Sequence, residues 1–251
     1  MSTAVLLNIE NGIARITLNR PDRLNAFDAE MAEEWAKVCE IATQTSEVHA
    51  IVLAAEGRAF CGGGDVHWMA KTGDRREKLH KFALRLNDGV LALVGSTKPI
   101  VAAAQGATAG GGLGILLSSD YVIVGESSKL GSLYAGVGLT PDLSVSAQLS
   151  RAVGERRALQ LVLQERMLNA TEAVEWGLAA EKVADDQIQQ RAEAIAKHWA
   201  QNAHAYGEAK RLIRSQPSRT FREQLAEEAR TVGAASVTFE GDKRITAFVT
   251  R

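Results

Sequence analysis

Residues 99–115 read PIVAAAQGATAGGGLGI and decide the fold class of this 251-residue chain. The segment opens with an unbroken apolar run, which is typical of a strand buried on both faces, and continues through glycines into a helix-like stretch. The same order occurs earlier, where HAIVLAA (49–55) precedes the loop RAFCGGGDV (58–66). A third buried strand, YVIVG, follows at 121–125. Strands and helices that alternate in this way predict an α/β fold of parallel βαβ units with right-handed crossovers.

The chain outside these segments divides into a strand-rich start and a helical end. Two β-like runs, 5–9 and 13–18, flank an Asn-Gly turn signal and predict a hairpin. Asp28 is expected to cap a helix, and the apolar spacing of 74–94 predicts a second one. After Asp142 the strand signals nearly vanish. Five further segments have helical patterns: 156–164, 171–176, 185–201, 209–215 and 221–232.

We predict two regions in the chain, an α/β core over 1–195 that carries the ligand site and a C-terminal helical region over 196–251. No Gly/Ser-rich linker separates them in the sequence. A tail of about 55 residues seldom has an independent hydrophobic core. The helical region is therefore expected to pack on its own core or on a neighbouring subunit.

Composition excludes several classes of protein. With 29 Lys plus Arg against 30 Asp plus Glu, the formal net charge is −1, which argues against a protein that binds nucleic acid by neutralising phosphates. Hydrophobic residues make up 46% and charged residues 24%, so extensive disorder is excluded. The two cysteines, Cys39 and Cys61, are too few for a disulfide framework and cannot form a zinc site unaided. They favour a reducing compartment.

Targeting and membrane signals point to a cytoplasmic protein without a membrane partner. The N-terminus MSTAVLLNIENG lacks the basic region and long apolar core of a secretory signal. Residues 99–119 carry no charge and are long enough for a membrane span. They contain five glycines, however, and each costs about 1 kcal/mol inside a helix. A buried strand, a loop and a buried helix explain this run better.

The two glycine-rich loops, 58–66 and 105–115, are the strongest signal of function. Ligands of open α/β sheets gather beyond the carboxyl ends of the strands, where glycine lets backbone N–H groups approach them. Neither loop has the Lys-Ser/Thr pair of a P-loop or the G-x-G-x-x-G spacing of a dinucleotide site. Two interpretations remain: an oxyanion hole made of paired N–H donors, or glycines that only permit tight turns and close packing. No metal-ligand cluster is evident in the sequence.

Four blocks of sequence resemble, in the same order, those of the crotonase (enoyl-CoA hydratase/isomerase) superfamily. They are RITLNRPDRLNAFD (15–28), AFCGGGDV (59–66), GATAGGGLGILLSSDYVIV (106–124) and LNATEAVEWGLAAEKV (168–183). The ending EGDKRITAFVTR (240–251) is similar as well, so the resemblance covers essentially the whole chain. It is strongest toward the branch that contains enoyl-CoA isomerases and 1,2-epoxyphenylacetyl-CoA isomerase. It implies a crotonase-like spiral of βαβ units, a C-terminal helical trimerisation region and a cytoplasmic homotrimer or dimer of trimers.

The resemblance implies an acyl-CoA thioester substrate and no cofactor beyond the coenzyme A that the substrate carries. By position in the family motifs, the N–H groups of Gly62 and Gly111 would hold the thioester oxygen and stabilise an enolate. The positions that match coenzyme A or substrate contacts of the family are Arg23, Leu24, Ala26, Cys61, Gly63, Gly64, Asp65, Val66 and Tyr134. Phe248 would contact coenzyme A across a subunit boundary. Because backbone groups act here, alanine at Gly62 is expected to be tolerated.

The acid–base residue distinguishes the reactions of this superfamily from one another. Hydratases of the family use two glutamates, and the matching positions here are Gly114 and Tyr134, so efficient hydration is not expected. The block GVGLTPDLS (136–144) resembles that of the isomerases and places Asp142 at their catalytic aspartate. One carboxylate suffices for isomerisation, because it can remove a proton from C2 of a 3-enoyl thioester and return it at C4. The resemblance predicts an enoyl-CoA isomerase of fatty acid metabolism or aromatic catabolism.

Four alternatives stay open at this point. Asp142 follows a proline and could merely cap a helix, since Asp is a favoured N-cap. The family glycines after it are replaced by Leu143 and Ser144, which could reshape the acyl pocket. As a nucleophile, Asp142 could instead support dehalogenation or hydrolysis, with His67 or His80 as the base. An enoyl-CoA hydratase-like lyase and a non-catalytic acyl-CoA-binding subunit complete the alternatives.

Overall fold

The computed structural model describes residues 3–250, and within that range ten strands form two sheets. In chain order the strands are β1 (Val5–Glu10), β2 (Ile13–Leu18), β3 (Ala50–Ala55), β4 (Ala59–Cys61), β5 (Ile100–Ala104), β6 (Ala107–Ala109), β7 (Tyr121–Gly125), β8 (Lys129–Gly131), β9 (Met167–Asn169) and β10 (Glu181–Val183). The larger sheet has the order β1-β2-β3-β5-β7-β10, and the smaller sheet has the order β4-β6-β8-β9.

Eleven α-helices lie within the same described range. They are α1 (Ala29–Gln44), α2 (Val66–Lys71), α3 (Arg75–Gly95), α4 (Gly111–Leu117), α5 (Ser150–Val153), α6 (Glu155–Leu163), α7 (Ala170–Glu175), α8 (Ile188–Ala200), α9 (Ala203–Ser215), α10 (Phe221–Ser236) and α11 (Phe239–Val249). A π-helical turn, Val145–Leu149, leads into α5. Parallel strands alternate with helices before α8, which confirms the predicted α/β class.

The larger sheet is covered by helices on both faces. The hairpin β1–β2 is antiparallel, as the Asn-Gly signal predicted, and all other neighbouring strands of this sheet are parallel. Side chains alternate along the strands, so Ile51, Leu53 and Ile100 belong to the main core, which includes residues of α1 and α3. Val52 and Val101 belong to a second core against α8. Burial on both faces explains the unbroken apolar runs of β3 and β5.

The smaller sheet brings the two glycine-rich loops together. β4 pairs in parallel with β6, with Cys61 opposite Thr108, and β6 pairs in parallel with β8. β9 runs antiparallel to β8 at the end of the sheet. The carboxyl ends of parallel strands meet at one edge of a sheet, where ligands commonly bind. The loops that follow β4 and β6 therefore lie side by side, and they lead into α2 and α4.

The second half of the chain contains features that the sequence did not indicate. The short strands β9 and β10 lie in a part where strand signals nearly vanish. The predicted boundary between residues 195 and 196 lies inside α8, whose Ile188, Ala192 and Ile195 pack on the larger sheet. The division into two regions thus stays a prediction. None of the helices in residues 3–250 combines the length and the apolar character that crossing a membrane requires.

Candidate active site

The two glycine-rich loops touch one another at the edge of the smaller sheet. Gly63 and Gly110 have φ angles of +99° and +52°, a backbone conformation that favours glycine. A Cβ on Gly63 would lie 2.9 Å from the Ala109 carbonyl oxygen, and a Cβ on Gly112 would overlap with the Cys61 carbonyl group. Glycine is therefore required for the close packing of these loops, which was one of the two interpretations of the sequence.

The backbone N–H groups of Gly64 and Gly111 have no protein acceptor among residues 3–250. Both residues line the same cavity, and Gly111 is the first residue of α4, where N–H groups lack acceptors within the helix. The N–H group of Gly62 instead donates to the Leu24 carbonyl oxygen at 2.8 Å. The prediction that Gly62 supplies an oxyanion donor is therefore wrong, because its N–H is already bonded. Gly64 replaces it as the candidate donor of the first loop.

A cavity of about 420 Å³ opens beside these N–H groups. Its apolar lining consists of Phe27, Val66, Met69, Leu79, Phe82, Leu86, Ala109, Leu133, Val137, Leu139 and Leu143, together with glycine backbone. Among its lining residues, all within 3–250, Asp142 has the only carboxylate, and Tyr134 and His80 are the other titratable side chains. The same described range contains no group of three or more metal-ligating side chains. An apolar chamber with a few converging polar groups is typical of a small-molecule site.

Asp142 lies in this cavity and is hydrogen-bonded to Tyr134. The Tyr134 hydroxyl donates to Oδ1 of Asp142 at 2.5 Å. Burial raises the pKa of Asp142, whereas the bond from Tyr134 and one from its own backbone oppose that rise. The π-helical turn begins at Val145 and its N-cap residue is Ser144, so Asp142 does not cap it. The alternative in which Asp142 serves only as an N-cap is therefore wrong.

The chain reverses its direction sharply after Asp142 and closes one side of the cavity. Leu143 and Ser144 have φ angles of +46° and +66°, which side chains other than glycine rarely adopt. Leu143 is buried and lines the cavity. A Cβ on Gly114 would lie only 2.6 Å from the Leu143 Cβ, so this backbone leaves no room for a glutamate at position 114. Leu143 thus occupies space at the cavity wall, whereas Ser144 is not part of the lining, and a reshaped acyl pocket stays a prediction.

The loop between β2 and α1 lies against the first glycine-rich loop. Leu24, at φ +52°, accepts the hydrogen bond from Gly62, and its Cβ would lie 3.5 Å from a Cβ on Gly62. Ala26 is half-buried, and Arg23 is exposed at the end of a short 3-10 turn. The structure thus places this segment next to the glycines of the first loop. Contact of Arg23, Leu24 and Ala26 with coenzyme A stays a prediction.

Cys61 faces the protein interior. Its thiol is fully buried and donates to the Asn25 carbonyl oxygen at 3.2 Å. Burial raises the pKa of this thiol to about 12, although a hydrogen bond from the Gly63 N–H opposes the rise. Cys61 is not among the residues that line the cavity. The thiol therefore stays protonated at neutral pH, and contact of Cys61 with the substrate stays a prediction.

The side chain of Asp65, at the end of the first glycine-rich loop, makes its contacts within the protein. The Asp65 carboxylate accepts a hydrogen bond from the Trp68 N–H at 3.1 Å and so caps α2, and it lies 3.4 Å from the Arg20 guanidinium. Its side chain is buried. Val66, the next residue, lines the cavity together with Gly63. A coenzyme A contact stays a prediction for Asp65.

Of the remaining candidate residues, one lines the cavity and two do not. His80 on α3 lines the cavity, whereas His67 is exposed and is not part of the lining. Phe248 lies on α11 with 79% of its surface exposed, and its contact with coenzyme A across a subunit boundary stays a prediction. Phe27 and Leu86 also line the cavity, and no sequence pattern distinguished them from residues of the core. Apolar periodicity marks a buried face but does not distinguish core from cavity wall.

Comparison with known proteins shows the family of this chain. Residues 8–251 match the family model described as enoyl-CoA hydratase/isomerase. The chain is 32% identical over 228 residues to the 1,2-epoxyphenylacetyl-CoA isomerase of Escherichia coli, covering 90% of this chain and 87% of that protein. It is 34% identical over 176 residues to the trans-2-decenoyl-(acyl-carrier-protein) isomerase of Streptococcus mutans, covering 69% and 67% of the two chains.

Relatives named as hydratases occur in the same range of similarity. Curated relatives named enoyl-CoA hydratases are 28% to 36% identical to the chain. The crystal structure of an enoyl-CoA hydratase from Mycobacterium smegmatis superposes with a TM-score of 0.92 at 25% identity, covering 99% of this chain and 97% of that chain. Similarity alone therefore extends to both activities, and the site must distinguish between them.

Proposed function

This chain belongs to the enoyl-CoA hydratase/isomerase family, and from that membership we propose that it is an enoyl-CoA isomerase. The proposed substrate is a 3-enoyl-CoA thioester, which is converted into the conjugated 2-enoyl thioester. One observation carries the proposal: Asp142 supplies the single carboxylate of a cavity, within residues 3–250, that is also lined by backbone N–H groups without acceptors.

In the proposed reaction Asp142 moves one proton between two carbons of the substrate. The ionised carboxylate removes a proton from C2, and the electron pair of that bond is delocalised over the thioester carbonyl and the C3–C4 double bond. The same carboxyl group returns the proton at C4, and the double bond then lies between C2 and C3. Atoms and electrons balance without a second reactant, so one acid–base group is sufficient.

The N–H groups of Gly64 and Gly111 hold the thioester oxygen in this proposal. Negative charge accumulates on that oxygen when the dienolate forms, and N–H donors that the fold already holds in place stabilise it. Loss of one such donor typically slows a reaction about 10²- to 10³-fold. Gly63 supports the arrangement, because its contact with Ala109 sets the spacing between the two loops.

Hydration is less well supported by the same site. Adding water to a double bond needs one group to activate the water and another to protonate C2. The positions that match the two hydratase glutamates hold Gly114 and Tyr134. The backbone and side chain of Leu143 fill the space above Gly114. The site therefore favours isomerisation over hydratase-like chemistry.

A second candidate function is favoured by one observation, the position of His80 in the cavity lining. Asp142 could attack an aryl-CoA ring as a nucleophile and displace a halide, which leaves an ester between the aspartate and the ring. His80 would then activate the water that hydrolyses this ester. Such a dehalogenase would release one halide for each substrate molecule, which an isomerase does not.

We further propose how the coenzyme A part of the substrate and neighbouring subunits are arranged. Coenzyme A lies along the segment 23–26 and along residues 63–66, with Arg23 next to a phosphate. Phe248 of a neighbouring copy contacts it in a homotrimer or dimer of trimers. The proposed location of this assembly is the cytoplasm.

The substitution Asp142→Asn tests the proposed function, because it removes the base and keeps the size of the side chain. We expect kcat for conversion of 3-enoyl-CoA into 2-enoyl-CoA to fall about 10²- to 10⁴-fold, the usual contribution of a positioned acid–base group. The Kd of a non-reactive acyl-CoA should change little. Asp186→Asn, at an exposed carboxylate outside the cavity lining, is the matched control and should leave kcat unchanged.

Other results would contradict the proposal in distinguishable ways. Undiminished isomerase activity in Asp142→Asn would assign the proton transfer to another group. Halide release from a haloaryl-CoA, without isomerisation of any enoyl-CoA, would favour the second candidate. Tight binding of acyl-CoA esters without turnover would indicate the non-catalytic subunit.

A further inference from the structure

Tyr134 is buried in the wall of the cavity, where it contacts the proposed base Asp142. Its hydroxyl is 2.5 Å from Oδ1 of Asp142, whereas Oδ2 accepts no hydrogen bond from another residue in the described range 3–250. We infer that Tyr134 is a positioning residue, whose hydroxyl holds Oδ1 of Asp142 so that Oδ2 carries the proton between C2 and C4. The inference rests on the proposed isomerase function.

The backbone around Tyr134 fixes the position of this hydroxyl. Only 7% of Tyr134 is exposed, so the ring is confined by its neighbours. Its carbonyl oxygen accepts hydrogen bonds from the N–H groups of Val137 and Leu139 at 3.2 and 3.0 Å, which close a short turn over the cavity. A donor held in this way restricts Asp142 to one orientation, and preorganised geometry of a reacting group is a known source of rate.

Charge determines that Tyr134 donates rather than removes a proton. Burial and the neighbouring Asp142 carboxylate raise the pKa of the Tyr134 hydroxyl well above its usual value, so the hydroxyl keeps its proton. Its hydrogen bond favours the ionised form of Asp142 and opposes the effect of burial. Without the hydroxyl, only the hydrogen bond from the backbone of Asp142 itself opposes the effect of burial, so the pKa of Asp142 rises and the carboxyl group becomes harder to ionise.

The other titratable groups around the pair are common to the wild type and to any variant at Tyr134. They are His80 of α3, which lines the cavity, Cys61 of β4, whose charge state also affects Tyr134, and Glu165, which lies beside the turn that follows Tyr134. A change in pH dependence that is confined to variants at position 134 is therefore assigned to the lost hydroxyl.

The chain offers a matched control in a second tyrosine–carboxylate pair. The Tyr121 hydroxyl donates to Oε1 of Glu181 at 2.7 Å, between β7 and β10. Neither residue lines the cavity that contains Asp142. Tyr121→Phe thus removes the same kind of hydrogen bond from the same protein without touching the proposed site.

The test measures kcat and KM of the full chain for a 3-enoyl-CoA over a range of pH. Tyr134→Phe removes the hydrogen bond that lowers the pKa of Asp142. Hydrogen bonds to charged groups are among the stronger ones, so we expect the acid limb of the kcat profile to move about one unit to higher pH. On the plateau, kcat should fall about tenfold with little change in KM, because the base is less well oriented. Tyr121→Phe should keep the wild-type profile.

A second variant keeps the inference testable if Tyr134→Phe does not fold by circular dichroism. Incorporation of 3-fluorotyrosine at position 134 retains the ring and makes the hydroxyl a stronger donor, so the acid limb should move to lower pH. Unchanged profiles in both variants would overturn the inference. If Asp142→Asn abolishes isomerisation while variants at 134 behave as wild type, only the role of Tyr134 fails. A wild-type protein without isomerase activity would overturn the proposed function and, with it, this inference.

Discussion

Gly62 and Gly63 are adjacent in the sequence but have very different surroundings. Gly62 does not adopt a positive φ, and a Cβ there would make an ordinary contact, 3.5 Å from Leu24. Gly63 has a φ of +99°, and its Cβ would approach the Ala109 carbonyl oxygen to 2.9 Å and the Gly111 nitrogen to 3.2 Å. The second glycine therefore holds the contact between the two loops, whereas the first does not.

Substitution of these two glycines by alanine should give contrasting results. Gly62→Ala should change the free energy of unfolding by less than about 1 kcal/mol and leave kcat nearly unchanged, since its Cβ fits. Gly63→Ala should lose about 2 kcal/mol or more, because the left-handed backbone costs about 1–2 kcal/mol for a residue with a Cβ and the loops must also move apart. Urea unfolding and isomerase assays on both variants check this. Equal losses in the two variants would contradict the assigned loop contact.

At this scale the sequence predicted a backbone N–H donor at Gly62, and the structure shows that this N–H is bonded within the protein. The run CGGGD allowed two interpretations, backbone N–H groups that face a ligand or glycines that permit tight turns and close packing. The acceptor that occupies the Gly62 N–H is the carbonyl of Leu24, a residue 38 positions earlier in the chain, and no local pattern reveals that bond. The bond between Tyr134 and Asp142 was missed for the same reason, because it depends on the turn of the chain between them.

Helix α9 is attached to the core by a buried lysine. The Lys210 ammonium donates to the carbonyl oxygens of Leu93 and Lys98 at 2.9 and 2.8 Å and lies 3.1 Å from Oδ2 of Asp120. Only 4% of its side chain is exposed. Burial lowers the pKa of Lys210, and the Asp120 carboxylate opposes that effect. This one charge therefore satisfies acceptors from α3, from the loop before β5 and from the loop before β7.

Replacing Lys210 by methionine should detach this end of α9. The change leaves the Asp120 carboxylate with Arg214 as its ion-pair partner and with the Ile100 N–H as a donor, and it removes the ammonium donor from the carbonyl oxygens of Leu93 and Lys98. Breaking a buried ion pair by removal of one partner typically costs about 3–5 kcal/mol. We expect a loss of that order in urea unfolding. Lys197→Met, at a side chain that is 65% exposed, should lose less than about 0.5 kcal/mol, and similar losses in the two variants would contradict this role.

For the helices and strands, the length of each element determined whether the sequence could predict it. The helix α1 was predicted from its N-cap, and Asp28 does accept a hydrogen bond from the Met31 N–H. The strands β3, β5 and β7 have five or six residues each and were recognised from their apolar runs. The strands β4, β6, β8 and β9 have three residues each, which is too short for any periodicity to define. Only pairing within the smaller sheet makes them strands.

Over the whole molecule, apolar surface is left uncovered on the last two helices. Large apolar side chains of α10, α11 and the link between them are more than two thirds exposed: Phe221, Val232, Val237, Phe239, Phe248 and Val249. Helix α11 buries no residue in the described chain. Helices owe most of their stability to the packing of an apolar face. A helix whose apolar face is exposed in one chain is therefore expected to pack against another copy of the chain. This observation supports the proposed homotrimer or dimer of trimers.

Sedimentation velocity tests this assembly. The wild type should sediment with a mass at least three times the 26.9 kDa of one chain. Replacing Val237 and Phe239 together by serine removes two side chains that are 81% and 84% exposed, and it should shift the protein toward the mass of one chain. Loss of the apolar contact drives this change, since each large side chain that is buried contributes about 1.5–3 kcal/mol.

Leu163→Ser, at a 75% exposed side chain on α6, controls for surface hydrophobicity and should leave the mass unchanged. A wild type that stays monomeric at micromolar concentration would contradict both the assembly and the predicted role of Phe248, because no neighbouring copy would then reach the cavity.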